Sequence, residues 1–161
     1  MNNEPFDVAG FLEQRRHAIV GDACARVSDA RLTHYDAAGP DTTADRLDAL
    51  FGIVVDCCRA HRLDRGTDYA DSLAHERHGG GFPLREAQTA INVLEEAVWR
   101  SILSDVAPAD QGDALGMVST VLGAIKDRLA CVYVARLRDL PSPTLHLDSL
   151  FAGTEGGAQP V

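Results

Sequence analysis

Residues 75–100 read HERHGGGFPLREAQTAINVLEEAVWR, and the second half of this stretch decides the fold. Leu84, Ala87, Ile91, Leu94 and Val98 recur at steps of three and four, and Ile102 continues the row. That is the period of an α-helix with one apolar face. The first half closes the helix before it. Gly79, Gly80 and Gly81 reach left-handed dihedrals cheaply and stop that helix. Pro83 is preset for a first turn, Phe82 is placed to staple against the following turn, and Glu86 sets an acid at the helix start. The stretch is a corner between two helices.

Three kinds of chemistry compete with this reading, and spacing removes each. A catalytic zinc helix needs histidines at i and i+4 so that both imidazoles face one ion, whereas His75 and His78 stand at i and i+3. A phosphate loop needs a lysine and a hydroxyl residue after its glycines, and here Phe82 and Pro83 follow. A phospho-accepting histidine box keeps its proline within one continuous helix, but three glycines separate His78 from Pro83. Nucleophilic catalysis finds no G-x-S-x-G, and the neighbours Glu95 and Glu96 point about 100° apart on a helix. We expect no enzyme, no metal and no cofactor. A metal, haem or small-molecule pocket would have to be built from His61, His75 and His78.

Working outward, the same period recurs. Val8, Phe11, Leu12, Ile19, Ala23 and Val27 form the stripe of a first helix over 6–28. A loop containing Tyr35, Gly39 and Pro40 follows, with Thr42 or Thr43 as N-cap of a second helix. Leu47, Leu50, Phe51, Val54, Val55 and Cys58 make that second helix one-sided, and it is expected to end near His61 to Arg65, before Gly66. Thr67 or Asp68 caps a short third helix through Tyr69 and Leu73. After the corner and the fourth helix, Pro108 interrupts. A last helix then starts near Asp110 and carries Val118, Leu122, Ile125, Leu129 and Val132. Strand-like alternation is absent. The expected fold is therefore all-α, a single bundle of about five amphipathic helices or a globin-like cluster over 1–140, followed by a mobile Pro/Gly-rich tail over 141–161. Within the tail, Leu145, Leu147, Leu150 and Phe151 are the residues able to dock.

The chain has 161 residues, a length suited to one domain with a real core, and 45% of them are hydrophobic. Its net charge of −9 disfavours nucleic acid, and the only lysine is Lys126. The basic clusters around Arg15–Arg16 and Arg136–Arg138 are interleaved with acids and read as solvated helix faces. No apolar run approaches the roughly 18 residues that span a bilayer, and the start MNNEPFD is no secretory signal. The expected location is the cytoplasm. In that reducing setting Cys24, Cys57, Cys58 and Cys131 are expected as small buried hydrophobes.

A second stripe runs along the fourth helix: Gln88, Asn92, Glu95 and Trp99, at steps of four, three and four. Trp99 either covers the edge of the core or borders a partner surface or polar pocket.

With these elements placed, FLEQRRHAIVGDA, LTHYD, RLDALFGIVVDC and LAHERHGGGFPLREAQTAINVLEEAVWR together resemble the N-terminal domain of the RsbT co-antagonist (RsbRD) family. The pattern spans most of the chain, with its most characteristic part in the Glu76-Arg77 pair, the following Gly81-Phe82 and the late Trp99. The resemblance implies a non-enzymatic, all-helical sensory or regulatory module of the stressosome type, which dimerises through helices and is often fused to an output domain. Here only 21 residues follow the bundle, so signalling is expected to pass in trans to a separate protein. The expected function is stress or sigma-factor regulation by protein–protein contact through Glu76, Arg77, Arg85, Gln88, Asn92, Glu95 and Trp99, as a homodimer. The alternative is a small-molecule, haem or metal sensor with a histidine-containing pocket.

Overall fold

The computed structural model of the chain describes residues 5–79, 81 and 83–139, the side chains of 77–79, 137 and 139 excepted. The tail expected over 141–161, and the staple expected of Phe82, lie outside the described residues. Those residues form six helices and no strand, an all-α bundle.

Helix α1 (Val8–Asp29) begins where the carboxylate of Asp7 accepts the backbone N–H of Gly10 at 2.9 Å. This satisfies one of the orphan donors of a first turn. Gly10 suits the cap because a Cβ there would collide with the Asp7 carboxylate. Helix α2 (Thr33–Ala38) is a single short piece inside the expected loop, and it exists around one buried anchor, Tyr35. Gly39, at φ +86°, turns the chain into α3 (Pro40–Ala60), with Pro40 in its first turn. Thr43, expected as a cap, is instead buried and donates its hydroxyl to the Tyr35 carbonyl at 3.4 Å.

His61 closes α3 in the left-handed region at φ +51°. After only three residues α4 (Asp64–Gly79) starts, earlier than Thr67. Helix α3 thus ends by His61 and before Gly66, as expected, and Gly66 belongs to the first turn of α4. Thr67 bonds back to the Asp64 carbonyl at 2.9 Å instead of capping. Helix α5 (Leu84–Asp105) follows Pro83, and α6 (Pro108–Asp139) starts at its proline, two residues before the expected Asp110. Gln111 binds the corner between them, donating to the carbonyls of Leu103 at 3.3 Å and Val106 at 2.9 Å. Two carbonyls at the α5 end that no helix bond reaches are thus covered.

The long helices close a ring: α1 packs on α3, α3 on α4, α4 on α6, α6 on α5 and α5 on α1. Inside it Leu12, Phe51, Leu94, Ile102, Leu122, Ile125 and Leu129 have no exposed surface. These are residues of the expected stripes, brought together because each stripe can leave water only against the others. Arg16 departs from its expected solvated role. Its guanidinium lies 5.7 Å from the centre of the Phe51 ring while it bonds Asp48. No helix among the described residues is long and apolar enough to cross a membrane.

Candidate functional site

The stripe of α5 is shared between solvent and a neighbouring helix, with Asn92 and Trp99 exposed and Gln88 and Glu95 half-buried. It runs along the seam with α6. Lys126 of α6 reaches across to Asn92 Oδ1 at 3.0 Å and Glu95 Oε2 at 2.7 Å, and the Glu95 side chain keeps only 14% of its surface exposed. One turn on, Trp99 Nε1 donates to Ser119 Oγ of α6 at 3.2 Å. Gln88, half-buried, starts the row. Glu96 turns the other way, to Arg26 of α1 and Arg100, as the angular offset of adjacent residues requires.

Trp99 nevertheless leaves 42% of its surface open, and Leu103, one turn further along α5, leaves 55%. Leu103 was missed in the sequence, although it extends the row by one more step of four. Its apolar character matched either face, and only the position of α6 separates the two. Glu76 and Arg85 are exposed on α4 and on the first turn of α5. The side chains of Arg77 and His78 lie outside the described residues.

Glu86, expected simply as an acid at a helix start, ties α5 to α2. It accepts the backbone N–H of His34 at 3.0 Å and lies 3.2 Å from the His34 ring Nδ1. The other histidines are scattered. His75 makes a contact of 2.8 Å between its Nδ1 and the Asp71 carbonyl on its own helix, and His61 stands at the far end of α3. Among the described residues no three His, Cys, Asp or Glu side chains converge as a metal set.

His61 instead lies at a cleft of about 840 Å³. Its walls come from the start of α1, the end of α3 with its turn into α4, and the first half of α6. The floor is apolar, with Phe6, Val8, Leu63, Met117 and Val121 among its lining. Phe6 is braced by Phe11, their ring centres 5.8 Å apart. Gly112 and Gly116 leave the α6 wall low, since a Cβ at either would meet open space.

Cys57 and Cys58 also line the cleft, both 2% exposed. Burial, with Cys57 adjacent, pushes the Cys58 thiol up to about 11, and burial raises Cys57 as well. Both are protonated at neutral pH and are weak nucleophiles there. The buried role expected of the cysteines holds for this pair. Cys24 is half-buried and Cys131 is exposed, so the expectation fails for Cys131.

Arg59, His61 and Arg62, at the end of α3 and in its turn into α4, are exposed residues of the cleft lining, which also holds Asp7 and Asp113. Sequence reasoning found His61 but not the cleft, which is assembled from three segments far apart in the chain. No family model matches the chain, and no curated protein matches it.

Proposed function

We propose that this chain is a non-enzymatic regulatory domain that works by protein–protein contact and pairs with a second copy of itself, in stress or sigma-factor signalling. The single observation behind the contact surface is the exposed pair Trp99 and Leu103 beside the α5–α6 seam. An aromatic and an aliphatic residue one helical turn apart form a continuous apolar strip, and tryptophan is the residue type most enriched where binding energy concentrates. The Ser119 bond already fixes the indole, so little rotamer freedom is lost on association. The regulatory context comes from the resemblance of the quoted motifs to the RsbT co-antagonist domain.

Trp99 is the only tryptophan, so its emission reports on its own surface. Over a concentration series, light scattering should show a monomer–dimer equilibrium, with emission shifting to the blue as dimer forms. Leu103→Glu should weaken that equilibrium at least tenfold, equivalent to roughly 1.4 kcal/mol. A chain that stays monomeric at every concentration, with unshifted emission, would contradict the self-pairing surface.

A second reading is favoured by the cleft. Its volume of about 840 Å³ falls in the range of small-molecule sites, which is roughly 300–1,000 Å³. On this reading the domain senses a ligand, with His61 in the lining.

A further inference from the structure

We infer that the cleft binds an amphiphile with an anionic head, its chain along the α6 wall and its head at Arg59, His61 and Arg62; this rests on the ligand-sensing reading of the cleft. From Gly112 to Val121 the α6 wall runs about 14 Å at the rise of an α-helix. That is the length class of a medium acyl chain. Two glycines without opposing atoms keep this wall low along its first half, so a flexible chain can lie against the backbone there. The apolar floor rewards a long, narrow ligand, because the gain scales with the area removed from water.

The head is selected by charge. Overall the protein carries −9, yet in this lining three bases stand together at the end of α3 and in its turn into α4. Arg59 meets Asp56 at 3.5 Å and Arg62 meets Asp64 at 3.0 Å, and their side chains are 57% and 72% exposed. A guanidinium has five donors, so one carboxylate partner leaves donors for a second acceptor. Of the two acids in the lining, Asp7 already accepts the N–H of Gly10 at 2.9 Å. Asp7 and Asp113 repel an anionic head from the α1 and α6 parts of the lining, which leaves the cationic α3 segment to receive it.

The full-length protein is titrated calorimetrically with dodecanoate and with dodecan-1-ol, which share a chain and differ in head charge. Dodecanoate should saturate one site and bind about tenfold more tightly than the alcohol, the ratio that one charge-assisted hydrogen bond supplies. The double variant Arg59→Gln/Arg62→Gln should bring dodecanoate to the level of the alcohol and leave the alcohol unchanged. Gly116→Leu, which grows a side chain into the open wall, should abolish both. Equal affinity for the two probes, both lost in Gly116→Leu, would overturn the anionic head while leaving the cleft a ligand site. Dodecanoate binding that survives both sets of substitutions would place the ligand elsewhere and overturn the inference. If neither probe saturates the wild-type protein, the ligand-sensing reading falls and the inference with it. The wild-type comparison of probes depends on no variant folding.

Discussion

Arg16 and Asp48 show how one residue pair converts sequence position into a pH dependence. The guanidinium holds the carboxylate by two bonds of 2.7 Å, from Nε and from a terminal nitrogen, and it also bonds the Asp48 carbonyl at 3.2 Å. The side-chain hydrogen bond to Arg16, helped by its charge, keeps the Asp48 carboxyl below its usual range in spite of some burial. A carboxyl lowered by folding adds stability above its unfolded value, and that stability is lost as pH falls through the folded value. The unfolded value is about 3.9. Arg16, raised by the same bond, is charged throughout and adds no titration of its own. Wild type should therefore be more stable than Asp48→Asn at pH 7, with the gap in melting temperature constant down to about pH 5 and closing below about pH 4. Asp71 and Glu96 are lowered too, but they are common to both proteins and cancel in the difference. A gap of the same size at every pH would mean that Asp48 acts by packing rather than by charge.

Among the elements, glycines on α4 and α6 make opposite demands. A Cβ on Gly66 would sit 3.1 Å from Ile125 Cγ1 and 3.5 Å from Cys57 Sγ. Ile125 has no exposed surface and cannot give way cheaply. Gly66→Ala should therefore cost about 1–2 kcal/mol as local overpacking outweighs the helix-propensity gain. At Gly116 the added methyl meets nothing, and Gly116→Ala should stabilise by roughly 0.5–1 kcal/mol. Urea midpoints measured on the two variants should move in opposite directions, and a shared direction would sink this account of the α4–α6 approach. The same contrast explains what was legible in the sequence. The stripes of α1, α3, α5 and α6 could be read because each repeats its period over several turns, and most of their members are buried, with Phe11, Leu84 and Val132 partly buried against the same core. The end of α3 before Gly66 was legible, but the close approach of Gly66 to Ile125 was not, because local propensity carries no record of a residue 59 positions away along the chain. Helix α2 was invisible since its six residues hold one buried anchor, too few to show a period. The Gln88–Trp99 stripe was visible as a row, but its partners Lys126 and Ser119 belong to another helix. The cleft needs three separate segments and left only local traces, Leu63 in a short connection and two glycines four apart on α6.

On the scale of the molecule, every seam of the helical ring carries an ion pair. Arg16–Asp48 joins α1 to α3, Arg65–Asp56 joins α4 to α3, and Arg128–Asp71 joins α4 to α6. Lys126–Glu95 joins α6 to α5, and Arg15–Asp105 closes the ring between α1 and α5. Most of these side chains are a third or more exposed, with Lys126–Glu95 the best shielded at 27% and 14%. Exposed pairs add little stability each, and salt weakens them. Against them stands the unbalanced charge of −9, whose mutual repulsion acts over longer distances and is screened first. The two effects have opposite signs in salt, so the sign of the response tells which one governs. Repulsion should win at pH 7, and raising sodium chloride from about 10 mM to about 150 mM should lift the calorimetric melting temperature by about 2–4 °C, the shift that roughly 1 kcal/mol produces at this chain length. The control is built into the composition. Near the isoelectric point of about 5.0 the excess charge vanishes while most paired carboxylates remain ionised, so the same salt step should there leave the transition level or lower it. A melting temperature that falls with salt at pH 7 would show that the seam pairs, despite their exposure, hold the ring more strongly than its net charge strains it.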